Sequence, residues 1–200
     1  MSSLGSARVT AQDFFDYDKC PHRVYLNRFG DAGEKLPQAA FLNLLFEHAL
    51  SHEDEVVADL DCETPAGVSL EERAVATVDL MNAGAELIYH GVLLRDGESG
   101  IPDLLEKVDG ASAFGGHFYM PVDIKSGSGY ANREKGELRT EYGMQLYHYG
   151  MLLQAVQGVF PPDGAILNRD RERVPYRLEQ FRRVYETTLP RVRALVTGGS

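Results

Sequence analysis

The order of hydrophobic periodicities predicts an α/β domain with a mixed sheet flanked by helices. Three observations predict it. Apolar residues at helical spacing dominate the chain up to residue 84. An extended meander, rich in Ile, Val, Leu and Tyr, then runs from Glu86 to Lys125. A long helix, two short strands and a last helix follow it. Two hundred residues fit one domain spanning 1–200, with a helical part over 1–84 and a sheet-bearing part over 85–200.

Thr10-Ala11-Gln12-Asp13 has the form of a capping box and opens a short helix through Tyr17. Cys20-Pro21 interrupts it, and Val24-Tyr25-Leu26 continues as another helical turn. Gly30 to Pro37 reads as a loop. From Gln38 to about Leu60, the residues Leu42, Leu45, Phe46, Ala49 and Val56 keep helical spacing. Pro65-Ala66-Gly67 breaks the chain, and Ser69-Leu70-Glu71-Glu72 starts a helix to about Asn82. Glu86 to Leu94 is extended, Gly97 to Gly100 reads as a turn, and Leu104 to Val108 as a strand. Asp109-Gly110 begins a loop before the strand from Gly116 to Lys125. Glu141 to Gln157 is a helix closed by Gly158. Ala165 to Asn168 and Val174 to Leu178 read as strands, and Gln180 to Val196 as a helix with outward arginines.

With 44% hydrophobic and 25% charged residues, the composition is that of an ordinary soluble domain, and no apolar run reaches the roughly 18 residues of a membrane span. The start of the chain lacks a secretory pattern, and two cysteines cannot build a disulfide framework. Cytoplasm is the expected compartment. The net charge of −10 disfavours broad contact with phosphate backbones. The distribution is uneven, however. Between Arg169 and Arg193, eight arginines face four acids, and from Glu47 to Glu63 seven acids stand without Lys or Arg. The two stretches read either as solvated faces or as an acidic metal-bearing side beside a basic strip that tracks phosphates.

The chemistry concentrates in Gly100-Ile101-Pro102-Asp103 and Val122-Asp123-Ile124-Lys125. Along the second run, Phe118, Met120, Val122 and Ile124 share one parity and Tyr119, Asp123 and Lys125 the other. Alternation therefore predicts an apolar face in the core, with Asp123 and Lys125 emerging together from the opposite face, roughly 7 Å apart. Neighbouring strands lie about 4.8 Å apart, so Asp103 can converge with Asp123 on one hard cation, Mg²⁺ or Mn²⁺. Lys125 has two candidate roles: charge stabilisation when protonated, or proton acceptance with a depressed pKa. This arrangement suits phosphodiester hydrolysis. Gln145 and Tyr149 stand four apart, hence on one helix face. His48 and His52 are also four apart; a zinc pair would want a third protein ligand, and one histidine feeding the carboxylate site is the preferred reading.

A histidine on the first long helix, Gly-Ile-Pro-Asp, Asp-Ile-Lys and then Gln-x-x-x-Tyr, in that order, resemble the RecB-type branch of the PD-(D/E)XK nuclease superfamily. The likeness extends to stand-alone RecB-like nucleases and the CRISPR-adaptation exonucleases. It runs from Cys20-Pro21-His22-Arg23 to the helix after Gln145. It implies a restriction-endonuclease-like core and a Mg²⁺- or Mn²⁺-dependent exonuclease acting on DNA ends or single strands. It implies metal ligation by His52, Asp103, Asp123 and the Ile124 carbonyl, with Asp103, Asp123, Lys125, Gln145 and Tyr149 as the catalytic set. DNA repair, recombination or defence, with a helicase or second nuclease domain as partner, is the implied setting. A catalytically inactive nucleic-acid-binding or partner-docking domain is the competing expectation.

Many members of that branch carry a 4Fe–4S cluster on one N-terminal cysteine and three C-terminal ones. Cys20 matches the first, but no cysteine follows Cys62, so a cluster requires cysteines beyond Ser200, and truncation at the C-terminus is one expectation. Otherwise Cys20 reads as a small buried residue packing the N-terminal helices.

Overall fold

In the computed structural model, residues 7–37 and 40–198 are described, the side chains of 40–48 excepted. Two helices open the chain, α1 (Ala11–Lys19) and α2 (Pro21–Phe29). The Asp13 carboxylate folds back on Thr10, accepting from its N–H (2.7 Å) and its hydroxyl (2.8 Å). Proline at the first position of α2 costs no hydrogen bond, because that N–H has no helical partner in any case. Helix α3 (Ala40–Val57) follows, then α4 (Leu70–Ala83). The reciprocal Ser69–Glu72 capping box starts α4, and Gly84, at φ 77°, ends it.

The meander is finer than the sequence suggests. Strands β1 (Leu87–Tyr89) and β2 (Leu93–Arg95) replace the single extended stretch, broken where His90 adopts φ 52°. The expected turn at Gly97–Gly100 is itself strand β3 (Glu98–Gly100), paired with β2; the reversal is at Asp96-Gly97, where glycine takes φ 70°. The expected loop at Asp109-Gly110 belongs to β4 (Leu104–Ser112), which continues through an irregularity into its pairing with β5 (Gly115–Ile124). A small hairpin, β6 (Tyr130–Asn132) and β7 (Glu137–Leu138), precedes α5 (Thr140–Gln157). The chain ends with β8 (Asp163–Leu167), β9 (Arg173–Arg177), a 3-10 turn at Leu178–Phe181 and α6 (Arg182–Val196).

The central sheet has the order β1-β4-β5-β8-β9, with only β5 and β8 parallel. That is the mixed α/β architecture expected. Helices cover both faces. Ile166, Val174 and Tyr176 pack on one side with Phe14, Val24, Met144, Leu146, Tyr185 and Val192, from α1, α2, α5 and α6. On the other side, Val122, Ile124, Leu104 and Ala165 pack with Val56 and, partly buried, Val57 of α3. Leu42, Leu45 and Phe46, expected on the apolar face of α3, lie outside the described side chains.

This layering corrects one expectation about β5. The parity is as read, but the face bearing Asp123 does not open to solvent: Tyr119 and Asp123 are 0% and 1% exposed. Tyr119 packs with Leu152 and Leu153 of α5, and the Gln157 amide bonds its backbone on both sides (2.8 and 3.0 Å). A carboxylate on a sheet covered on both faces is taken out of water, which raises the cost of its charge.

Two features set how closely α5 approaches. Gly143 faces Phe181, and a Cβ there would come 2.2 Å from ring carbons. His148 is fully buried: with Ser99 O able only to accept, Nε2–H donates to it (3.1 Å), and Nδ1 accepts from Tyr185 OH (2.9 Å). The imidazole thus links the β2–β3 hairpin, α5 and α6 while neutral, and burial holds its pKa below the ordinary value.

Gly143→Ala is expected to lower unfolding free energy by about 1–3 kcal/mol in urea titrations, because overpacking against Phe181 outweighs the gain in helix propensity. For His148 the unfolded chain binds the proton that the folded one refuses, so its contribution is complete above about pH 6.5 and declines on acidification. The stability difference between the wild type and His148→Gln should therefore shrink as the pH falls from neutrality toward 5.5, as followed by thermal melts across that range.

Candidate metal centre

Asp103 precedes β4 by one residue and Asp123 stands one residue before the end of β5. Since Leu104 pairs with Val122, the next opposed pair outward is Asp103 and Asp123. Backbone bonds fix both: Ile124 N–H donates to Asp103 Oδ2 (2.6 Å), and Asp103 N–H points at Asp123 Oδ1 (3.4 Å). Lys125 Nζ reaches back to Asp123 Oδ2 at 2.9 Å and to Asp103 Oδ2 at 3.9 Å. The nearer contact is an ion pair by distance but not by angle, and Asp123 Oδ2, though buried, accepts no hydrogen bond.

These charges alter one another. Burial, and then the Asp123 charge, push the Asp103 carboxyl up to about 7 despite Lys125. Burial opposes the charge on Lys125, but Asp123 and Asp103 outweigh it, so its pKa rises above the ordinary value. At separations of 3–4 Å and an effective dielectric near 20, each acid attracts the ammonium by about 4 kcal/mol, enough to offset a partial desolvation. Of the two roles open to Lys125 from sequence, the protonated one fits this environment.

A second group of side chains closes on Asp103 from the other side. One ligand atom each of Glu53, His90 and Asp103 lies within 4.8 Å of the others. Glu53 Oε1 is 2.9 Å from His90 Nε2 and accepts from Tyr89 OH at 2.9 Å. His90 holds the Glu53 carboxyl below its ordinary range, against burial, with Tyr89 assisting. The His90 backbone is fixed at both ends: its N–H donates to Asp103 O (3.0 Å) and its O accepts from Arg73 (2.9 Å). Its ring stacks on Tyr89, with centroids 3.8 Å apart.

The other expected residues take varied places. Tyr149 is buried, and its hydroxyl faces Ile101 O at 3.4 Å. Burial, then the charges of Asp123 and Asp103, keep the phenol from ionising. Gln145 is turned away: Nε2 donates to Ala11 O (3.3 Å), and Oε1 is buried without a partner. Ile124 touches Asp103 through its N–H. His52 has its Nε2 3.2 Å from Asn168 O, and its neighbour Glu53 is the α3 residue whose carboxylate comes within 4.8 Å of Asp103. His48 lies outside the described side chains. Cys20 is exposed rather than buried, and both cysteines are free. Two thiolates do not satisfy the four of a 4Fe–4S cluster.

The arginine stretch is largely neutralised. Arg171 pairs with Asp59 (2.5 Å), Arg173 with Glu106 (2.7 Å), Arg182 with Glu186 (2.9 Å) and Arg193 with Glu98 (2.5 Å). Arg169 and Arg177 sit within 4 Å of Asp170 and Asp163. Among the described residues, only Arg183 and Arg191 of that stretch lack an ion-pair partner. The continuous basic strip considered from sequence is thus an alternation of paired charges.

The donor set suits a hard divalent ion. Glu53, His90 and Asp103 combine two carboxylates with one imidazole, and the buried Asp123 carboxylate stands beside Asp103. No family model matches this chain, and no curated protein matches it. Glu53 and His90 carry little signal in sequence: Glu53 is one of seven acids from Glu47 to Glu63 and adjoins His52, and His90 lies inside a stretch that reads as an ordinary strand. No helix among the described residues is long and apolar enough to cross a membrane.

Because Asp103 is protonated up to about pH 7 when folded and only to about 3.8 when unfolded, its ionisation costs stability as pH rises between those values. Asp103→Asn should therefore raise unfolding free energy by about 1–3 kcal/mol at pH 8 in the presence of chelator. The gain should fade toward pH 4, as read by denaturant titration at each pH.

Proposed function

We propose that this chain is a divalent-metal-dependent deoxyribonuclease that hydrolyses phosphodiester bonds at DNA ends or in single strands. The observation that carries the reading is the convergence of Asp103, Asp123 and Lys125 at the ends of β4 and β5, with the Asp123 oxygen left unsatisfied. The choice of DNA rests on the resemblance to RecB-like nucleases, as do a cytoplasmic setting in repair or defence and a helicase-type partner.

In this reading Asp103 and Asp123 hold the ion. A bound Mg²⁺ or Mn²⁺ supplies Lewis acidity toward the phosphoryl oxygen and eases ionisation of a water molecule. In the metal-free site the two acids hold Lys125 protonated, and as an ammonium it would offset the charge growing on the phosphorus oxygens. Tyr149 acts as a positioning residue: its hydroxyl faces the Ile101 carbonyl and so steadies the segment that delivers Asp103. The ion pairs along the arginine stretch favour a compact contact with one strand or end over a long duplex footprint.

Labelled single- and double-stranded DNA should be cut with Mn²⁺ or Mg²⁺ and left intact with EDTA. Asp123→Ala and Lys125→Ala, checked for folding by circular dichroism, should each lower the rate by about 10²–10³-fold. Retention of DNA without cutting, whether or not metal is present, would instead select the binding-domain reading.

A further inference from the structure

We infer that the imidazole ligand of this centre is His90, acting with Glu53 and Asp103, and that His52 takes no part. The inference deepens the proposed function by naming the groups that choose the metal. Glu53, His90 and Asp103 present one ligand atom each within 4.8 Å. The Glu53 Oε1 to His90 Nε2 separation is 2.9 Å. Two cis ligands at the roughly 2.1 Å radius of an octahedral hard cation stand about 3 Å apart, so little movement is needed to admit the ion.

The second, independent observation is the buried Asp123 carboxylate beside Asp103. Its Oδ2 lacks any hydrogen bond, and burial of the residue leaves 1% exposed. That oxygen has only the Lys125 ammonium beside it, at 2.9 Å, so a carboxylate oxygen at this depth is left with one partner where it can take two. His90 is also held for the task from the main chain: its N–H is tied to the Asp103 carbonyl, so the β1–β2 break and the acid move as one unit. His52, by contrast, has its Nε2 on the Asn168 carbonyl and does not belong to the group of ligand atoms that meets at Asp103, whereas His90 Nε2 has only to exchange its Glu53 hydrogen bond for the ion that Glu53 would share.

An imidazole in an otherwise oxygen set adds more to Mn²⁺ than to Mg²⁺, since magnesium binds nitrogen weakly and keeps its waters. The chain should therefore bind Mn²⁺ in preference to Mg²⁺, with His90 as the source of the preference.

The test uses the full chain with Mn²⁺ alone. Electron spin-echo spectroscopy should detect an imidazole nitrogen coupled to bound Mn²⁺, and titration calorimetry should give its affinity and that for Mg²⁺. His90→Gly, which accommodates the positive φ without strain, should abolish the nitrogen coupling and weaken Mn²⁺ by about tenfold or more, with a smaller loss for Mg²⁺. Glu53→Gln, which keeps the hydrogen-bonding shape, should weaken both ions and retain the coupling. Coupling that persists in His90→Gly, or that vanishes only in His52→Ala, overturns the inference, as does binding with no nitrogen signal. None of these readings uses DNA. A chain that binds Mn²⁺ through His90 but cuts nothing would sink the nuclease reading and leave this one standing. Mg²⁺-dependent cutting that ignores His90 would do the reverse.

Discussion

Two like charges are placed opposite each other on neighbouring antiparallel strands, under a helix, with one lysine to compensate them. Asp103 and Asp123 are where they are because Leu104 pairs with Val122, and that register is fixed by apolar residues on the α3 face of the same strands. A slip of one residue would turn Val122 and Ile124 away from α3 and carry Asp123 and Lys125 across to that side. Packing on one face therefore enforces electrostatic crowding on the other. Lys125 relieves the crowding only in part: Asp103 holds its proton to about neutrality, Lys125 holds its own above the usual range, and Asp123 Oδ2 has only that ammonium beside it.

The surrounding fold keeps that arrangement from relaxing. Gly100 allows α5 to lie against the segment entering Asp103, since a Cβ there would meet Leu152 and Tyr149 at 2.7 Å. Gly143 does the same against Phe181, and His148 ties α5 to the hairpin that precedes the site and to α6. Stability is spent at the strand ends and recovered in the aromatic packing of Phe14, Tyr147, Tyr176 and Tyr185 on the same side of the sheet.

The charge distribution follows a similar logic at longer range. Six of the eight arginines from Arg169 to Arg193 are ion-paired, three of them with acids from distant parts of the chain: Arg171 with Asp59, Arg173 with Glu106 and Arg193 with Glu98. Such exposed pairs contribute little to stability individually. Their effect is to offset most of the arginine excess of that stretch with carboxylates.

The sequence by itself determined the alternation of β5, the caps of α1 and α4, the extent of α5 and the pairing of Asp103 with Asp123 and Lys125. Each of these depends on residues close in the chain or on a period of two, and such local preferences are written directly in the order of side chains. Only the tertiary structure decided that the Asp123 face is covered by α5, that Glu53 comes within reach of Asp103 while His52 meets the Asn168 carbonyl, and that His90 joins Glu53 and Asp103. One residue along a helix is a rotation of about 100°, so which of two neighbours meets the sheet depends on how α3 is docked. His90 reaches the site only because a break between two short strands places it in a left-handed conformation, anchored on the Asp103 carbonyl across the sheet. Contacts made across long separations in sequence leave no periodic trace, and the arginine pairs were hidden for the same reason.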